Sequence, residues 1–569
     1  MSVTHVEKAW SIGEVSHADV RSFADQIALP PLLAQLLLLR GVDTPEAVDR
    51  FLRPGVGQLV DPYKLEDMAD AVERITRARA SKERVLVFGD YDVDGISATV
   101  VMLNGLKRFG IENTRYAMPA RLEEGYGLSP VHIDAAKRDG VSLIITVDNG
   151  ITAFAAADRA RELGIDLLIT DHHTLDDRLP HACAVINPRR HGEDFPSRSL
   201  CGAGVAFKLS WALNGTPNDL DLTALGTVAD MMPLVGENRA IVALGLRHMQ
   251  KHQRLGLRCL AAASNFPIEE VTAQRIGFQL GPRINAAGRL TDAELGLRLL
   301  LSDCPIEGGS LAQELNRANE DRRVVERGIF DEAAAELDAF LSPEQRGIVV
   351  AKEGWHPGVI GIVAAKLQAR YARPVVLISI DANGEGRGSA RSAEGFNMVE
   401  ALSRCQEHLL KFGGHRAAAG LSLRSERVPD FKRAFEEEVF RQLGADPIPG
   451  KVRIDLIAAF SQIDFSLLRG LEMLEPFGQE NPEPVFCTMG VEVIPDSIRI
   501  LKEQHLRLQL RHGDTVFTAI GFDMAPRYYA ETLPRHIDVA YTPQINTWKG
   551  EQTIQLLLRD FRIPQRLPQ

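Results

Sequence analysis

The chain has 569 residues, 45% hydrophobic and 25% charged, with a net charge of −11 at neutral pH. That length is too great for one core and predicts about three or four domains of ordinary globular composition, while the net acidity disfavours non-specific duplex binding without excluding a local basic groove. The apolar run Leu32 to Leu39 is too short to span a bilayer and follows no cleavable leader pattern, and the six scattered cysteines form no C-x-x-C pair, so a cytoplasmic protein with no membrane partner is expected.

Residues 1–60 predict a short helical lead-in. Thr44 is placed to cap a helix with Pro45 at its first position and Glu46 in its first turn; Ala47 stands where a full capping box needs Glu or Gln. From 66 to about 250, short apolar strands (84–90, 142–148, 166–170) alternate with amphipathic helices (96–109, 131–139, 153–163). That βαβ periodicity implies a mostly parallel sheet. A long helix is predicted over about 310–341, where Leu311, Leu315, Ala318, Val325, Ile329, Ala333 and Leu337 keep three-to-four spacing. Flanked by Gly308-Gly309 and Ser342-Pro343, it reads as an inter-domain spacer. A second α/β unit runs from 346 to about 445, with strand GIVVAK, helix 358–370, strand PVVLISI and two glycine-rich segments. Beyond 450, HLRLQLR, DTVFTAIGF, HIDVAYTPQI and TIQLLLRDFRI alternate polar and apolar residues and predict a small five-stranded barrel of the OB type.

Three strands of the first α/β unit end in acid or imidazole. RVLVFGDYDVDG carries Asp90, Asp92 and Asp94; SLIITVDNG carries Asp148; DLLITDHH ends in Asp171, His172 and His173. A further acid, Asp230, closes LTALGTVAD. Ligands of open α/β sheets bind at the carboxyl ends of the strands. Carboxylates gathered there repel one another unless divalent cations lie among them, so the pattern predicts a metal site, with two ions. Mixed carboxylate and imidazole ligation suits Mn2+, Fe2+ or Zn2+ better than Ca2+. DYDVDG also matches the first half of an EF-hand loop, but position twelve is Val101 and a strand precedes it, so that reading fails. Two ions about 3.5–4 Å apart clamp an in-line displacement at phosphorus. Asp148, alone at the middle strand end, is the candidate bridge between them.

These motifs resemble the DHH phosphoesterase family. GDYDVDG, TVDNG, TDHH and TVADMMPL stand in that family's order with compatible spacing. GPRINAAGR, EGWHPGVIGIVAAKL, GSARS and FGGHRAAAG resemble its single-strand-specific exonuclease branch, FGGHRAAAG being similar to the signature of the associated DHHA1 domain. LEPFGQENPEPVF resembles the start of that branch's OB-fold domain. The resemblance covers about 60–569. It implies an α/β fold, with a parallel-sheet DHH domain joined by a long helix to a smaller α/β DHHA1 domain, followed by a β-barrel OB-fold domain. The expected boundaries are 1–60 for the N-terminal helical segment, 61–255 for DHH, 256–345 for a helical linker, 346–447 for DHHA1 and 448–569 for the OB fold. The implied metal ligands are Asp92, Asp94, Asp148, His172 and Asp230, holding Mn2+ or Mg2+. Asp90 and His173 lie beside them, to support the ions or touch the scissile phosphate. More distant phosphatase members have a His four residues before the first Asp of the pair, where this chain has Phe88.

The resemblance further implies degradation of single-stranded DNA from its 5′ end to mononucleotides, roles in recombinational repair and mismatch excision, and a single-strand-binding protein and a helicase as partners. Two rivals remain: a DHH phosphodiesterase for short oligonucleotides or cyclic dinucleotides, and a non-catalytic single-strand-binding scaffold. The long helix and barrel argue against the first, the intact ligand set against the second. A 5′-directed enzyme needs a terminal-phosphate pocket. Ser389 and Arg391 share one face if GSARS is extended, and Arg can grip phosphate bidentately. Arg283 or Arg289 is a further candidate, as are His356 in GWHPG and His415 in FGGHRAAAG. Arg121 and Tyr126 lie in the loop RLEEGYGL, where Tyr126 is a candidate to stack on a base, worth about 1–3 kcal/mol. In the barrel, Trp548, Arg507 and Arg511 are further candidates.

Overall fold

Short β-branched runs set the centre of the first α/β unit. In the computed structural model, which describes residues 8–119, 127–290, 292–342, 344–444, 450–530, 533–548 and 550–563, five parallel strands lie in the order Thr114–Ala117, Val85–Phe88, Leu143–Val147, Asp166–Thr170, Ala184–Ile186. VLVF and LIITV are buried at every position because helices cover both faces. Val85, Val87, Leu143, Ile145 and Val147 join one core with the helices Val93–Phe109, Gly202–Asn214 and Leu220–Ala229. Leu86, Phe88, Ile144 and Ile169 join the opposite core with Pro130–Arg138 and Phe154–Leu163. Strand order reverses between Val85–Phe88 and Leu143–Val147, and the crevice beyond such a reversal is where these folds take ligands.

The helix predicted from 96 begins at Val93, because the Asp92 carboxylate accepts the Asp94 and Gly95 N–H groups at 2.9 and 3.1 Å and starts it earlier. Thr44 caps Pro45–Leu52 as expected, its Oγ1 accepting the Ala47 N–H at 3.1 Å. The long helix spans Pro305–Phe340 and runs through Gly308-Gly309. Its first turns bury Leu311, Ala312 and Leu315 in the same core as the sheet, which offsets the roughly 1 kcal/mol that each mid-helix glycine costs. Helices Leu255–Ala263 and Glu294–Leu301 join that core too, so the stretch read as a linker supplies part of the sheet's packing.

The chain divides into two compact units. One holds Asp49–Arg322 and Leu474–Pro482; the other holds Met1–Val48, Arg323–Met473 and Glu483–Gln569. Leu474–Pro482, read from sequence as the threshold of the barrel, therefore packs with the parallel sheet's unit. Buried Arg239 fastens it, donating to the carbonyls of Glu475 at 2.7 Å, Pro476 at 3.3 Å and Phe51 at 2.9 Å. The Leu234 N–H donates to the Gln479 carbonyl at 2.8 Å, and buried Asn481 ties the loop to itself through the carbonyls of Leu474 and Pro476.

In the second unit, a mixed sheet runs Lys411–Gly414, Ala418–Arg424, Glu385–Arg391, Val375–Ile380, Ile348–Glu353. The C-terminal half of the long helix is fastened to this α/β unit by Glu326 to Lys366, Glu332 to Lys352 and Trp355, and Asp338 to Arg370 and Tyr371. The barrel closes through Phe486–Val493, His505–His512, Thr515–Gly521, Glu551–Arg562 and His536–Trp548, since the first of these pairs with both the second and the last. Phe486–Val493 escaped the alternation rule because a bulge between Thr488 and Val491 breaks its period. Ala9–Ile12, inside the segment expected to be helical, pairs in parallel with Lys451–Ile454. Among the described residues, no helix is long and apolar enough to cross a membrane.

Arg239→Ala would take a donor from three carbonyls, of which Pro476 keeps Asn481. It is expected to destabilise the parallel-sheet unit by about 2–4 kcal/mol, read as a lower urea midpoint by tryptophan fluorescence. An unchanged midpoint would show that the loop is held by other contacts.

Candidate metal centre

Asp90, Asp92 and Asp94 follow the Val85–Phe88 strand, Asp148 follows Leu143–Val147, and Asp171, His172 and His173 follow Asp166–Thr170. Asp230 enters as the C-cap of Leu220–Ala229. The fold brings them together as the sequence predicted. His172 Nε2 lies 3.1 Å from Asp148 Oδ1, 3.7 Å from Asp230 Oδ2 and 3.8 Å from Asp94 Oδ2. Three overlapping sets each place their ligand atoms within 4.8 Å of one another: Asp148, His172 and His173; Asp94, His172 and Asp230; Asp90, Asp92 and Asp148. Asp148 and His172 each belong to two of these sets.

Local chemistry fixes each group. Buried Asp94 accepts the Gly202 and Ala203 N–H groups at 2.7 and 2.9 Å, at the N-terminus of Gly202–Asn214, where the helix dipole favours an anion. Gly202 must be glycine, because a Cβ there would stand 2.4 Å from the Asp148 carboxylate. Gly95 sits in the first helical turn, where a Cβ would meet Asp90 at 2.6 Å, so it serves close packing. Asp148 itself adopts the left-handed conformation (φ 65°), a strain tolerated where structure over-determines it.

Sequence reasoning missed the supporting residues. Asp171 holds rather than ligates: Oδ2 accepts the Ile151 N–H at 2.9 Å, and Oδ1 accepts the His172 and His173 N–H groups at 2.7 and 3.1 Å and contacts His173 Nδ1 at 2.7 Å. Asn187 and Arg189 donate to the His173 and His172 carbonyls at 3.0 and 2.7 Å, locking the turn. No local pattern announced these partners; a strand-end acid followed by two histidines was their nearest signal.

The electrostatics favour a cation or a proton among these carboxylates. Burial, reinforced by Asp94 and Asp92, pushes the Asp230 carboxyl up to about 8. Burial and the charges of Asp94, Asp92, Asp90 and Asp171 hold Asp148 well above the usual carboxylate range. Burial lowers His172 to about 4, leaving the neutral imidazole that metals bind. Burial also opposes charge on His173, yet the Asp171 hydrogen bond and charge outweigh it and raise that ring to about 9. His172 Nδ1 and Asp230 Oδ2 are buried and make no hydrogen bond. Several buried carboxylates, one neutral imidazole and donors of oxygen and nitrogen type fit Mn2+ or Mg2+.

The candidate nucleic-acid residues fall in both units. Arg121 and Tyr126 lie outside the described residues. Arg283 is 8% exposed and donates to Asn316 Oδ1 at 2.9 Å and the Gln279 carbonyl at 2.8 Å, a packing role; Arg289, in the last turn of Gly281–Leu290, is partly exposed. In the other unit, Ser389 and Arg391 share a face of Glu385–Arg391, with Arg391 Nη1 donating to Ser389 Oγ at 3.2 Å. Both adjoin the first turn of Ile360–Tyr371, where a Cβ on Gly361 would lie 2.9 Å from Ser389 Oγ and 3.1 Å from an Arg391 nitrogen. His356 lies in the turn before that helix, its Nδ1 accepting the Gly358 N–H at 3.2 Å. His415 is exposed between Lys411–Gly414 and Ala418–Arg424. Trp548 is exposed at the end of the His536–Trp548 strand, and Arg507 and Arg511 are exposed on His505–His512.

Comparison with known proteins agrees with this layout. The model for the DHH family, N-terminal domain, matches residues 84–229, the DHHA1 domain 344–440 and the RecJ OB domain 454–560. Fold and site together define a phosphoesterase of the DHH class. A protein of Bacillus subtilis (strain 168) named single-stranded-DNA-specific exonuclease RecJ is 37% identical over 560 residues, covering 98% of this chain and 71% of that one. The chain belongs to the RecJ family. A crystal structure of RecJ from Thermus thermophilus in complex with Mn2+ matches with a TM-score of 0.84 at 31% identity, covering 98% of this chain and 80% of that one. Its counterpart in complex with Mg2+ matches with a TM-score of 0.77 at 29% identity, over 98% and 78%.

Protons compete with metal for these carboxylates. Because the Asp230 pKa in the fold, about 8, lies above that of the unfolded chain, the metal-free protein loses stability as pH rises from about 4 to about 8. The thermal-midpoint gain on adding Mn2+ should therefore grow between about pH 6 and about pH 9, measured by scanning calorimetry. A pH-independent gain would contradict this. Gly202→Ala should abolish most of the gain by displacing Asp148.

Proposed function

We propose that this chain is a metal-dependent exonuclease that degrades single-stranded DNA from its 5′ end to mononucleotides, in recombination and repair. The observation that carries this reading is the completeness of the site: every acid expected from the family, and His172, converges on one crevice. A scaffold that only bound DNA would have no need of such a cluster, which is costly to bury.

Asp92, Asp94, Asp148, His172 and Asp230 are the proposed ligands of two ions, with Asp148 between them. Bound divalent ions would supply an activated water and neutralise charge on the departing 3′ oxygen. The chain's own part is positioning and electrostatics. Asp94, pinned by two backbone N–H groups, and Asp148, held in the left-handed conformation beside Gly202, keep the carboxylates from spreading. Asp171 orients His173 towards the scissile phosphate, and Asp90 supports the ligands from behind. Ser389, Arg391 and the first turn of Ile360–Tyr371 form the proposed terminal-phosphate pocket, with His356 beside it. Arg289, His415 and the barrel's Trp548, Arg507 and Arg511 are proposed contacts along the strand. Single-stranded DNA needs an unwinding step, so a helicase and a single-strand-binding protein are the proposed partners, in a cytoplasm where six free thiols persist.

A strand of about 40 nucleotides, long enough to fill several OB-type sites, should release labelled mononucleotide at once from its 5′ end only, with Mn2+ and not with chelator. An intact strand beside rapid dinucleotide cleavage would favour the small-substrate enzyme; binding without cleavage of either would favour the scaffold. Arg391→Ala should reduce the preference for a 5′-phosphorylated over a 5′-hydroxyl strand by about 10–100-fold in kcat/KM.

A further inference from the structure

We propose that Phe278 and Met231 form a nucleobase-stacking platform at the mouth of the metal centre, the place where a base of the single strand rests while its backbone is cut. The inference rests on the strand-degrading reading above. Both side chains are large, apolar and turned to solvent: Phe278 is 73% exposed and Met231 72%. Scattered exposed apolar residues are ordinary, but these two have unusual backbones and stand on segments packed against each other. Met231 directly follows the ligand Asp230 and lies in the left-handed region (φ 55°), which is strained for a side chain of this size. Phe278 is the middle residue of the five-residue π-helical turn Ile276–Leu280, and such turns recur at functional sites.

That turn sits on the elements that carry the ligands. A Cβ on Gly277 would lie 3.9 Å from Val228, and one on Gly281 would lie 3.7 Å from Ala229 and 4.0 Å from Val93. Val228 and Ala229 end the helix that Asp230 caps, and Val93 stands between Asp92 and Asp94. Asn285, in the helix that continues from the turn, accepts the Val93 N–H at 3.1 Å. Phe278 therefore projects from a segment bolted to both sides of the acid cluster. Acids and bound cations take the phosphate, so the apolar partner at this mouth must be the part of a nucleotide with a π face. A phenyl ring stacks on any base, and a flexible thioether adapts to any shape. Neither reads hydrogen-bond patterns, so the platform accepts every sequence, as an enzyme that digests a whole strand requires.

The test uses the full-length protein with Mn2+ and strands carrying one abasic residue at successive positions from the 5′ end. In the wild type, an abasic residue at the platform position should raise KM by about tenfold. Phe278→Ala should show the same rise on intact strands, with no further rise when the abasic residue occupies that position, and Phe278→Trp should restore the wild-type value. Coupled losses of this kind are what direct contact produces. A wild-type KM for Phe278→Ala on intact strands, or losses that simply multiply, would overturn the platform. A wild-type protein that leaves every strand intact would overturn the strand-degrading reading, and the platform with it.

Discussion

Repulsion between buried carboxylates is the constraint around which the parallel-sheet unit is built. Asp90, Asp94, Asp148 and Asp171 are each at most 3% exposed, and Asp92 and Asp230 stand beside them. Water cannot screen such a group, so the fold must supply the compensation. Part of it is backbone. The N-terminus of Gly202–Asn214 faces Asp94, the first turn of Val93–Phe109 faces Asp92, and three N–H groups converge on Asp171. What backbone donors leave over is visible in the raised carboxyls of Asp148 and Asp230, and that remainder suits divalent cations.

Several features of the fold follow from holding those charges still. Val93–Phe109 starts at Asp92, Leu220–Ala229 ends at Asp230 and the start of Gly202–Asn214 binds Asp94, so a shift in packing would move a carboxylate. Gly202 allows a helix start to press against Asp148, and Leu234, four residues past Asp230, is tied to the loop that Arg239 holds. A cluster with rigid walls keeps its acids close when the cations leave, which costs stability without metal and preserves the site's shape. In the second unit, Ser389 and Arg391 lie beside the first turn of Ile360–Tyr371 and are hydrogen-bonded to each other.

Much of this was legible in the residues. Strands buried on both faces read as continuous apolar runs, so VLVF, LIITV and DLLIT stood out, and the acids at their ends marked the crevice. Asp90, Asp92, Asp94, Asp148 and His172 meet because they follow the ends of neighbouring parallel strands, whereas Asp230 arrives from the end of a helix. The contacts that hold them were not legible, since they join distant stretches: Gly202 lies 108 residues from Asp94, and Arg239 lies 236 from Glu475. Asp171 looked like another ligand-side acid, yet its oxygens are spent on backbone and on His173. Arg283 was a candidate phosphate contact, and it is buried with its guanidinium bonded to Asn316 and the Gln279 carbonyl. AWSI was too short to signal a strand without its partner at Lys451–Ile454. Phe278 gave no sign, because a single aromatic residue in a helical stretch has the same appearance whether it is core or surface.

The central claim is that the acid cluster is completed by a pair of cations sharing Asp148. Electron paramagnetic resonance of the full chain titrated with Mn2+ tests it most directly. A spin-coupled pair should appear in the wild type and give way to uncoupled ions in Asp148→Ala. An isolated ion in the wild type, or coupling that survives the substitution, would contradict the claim.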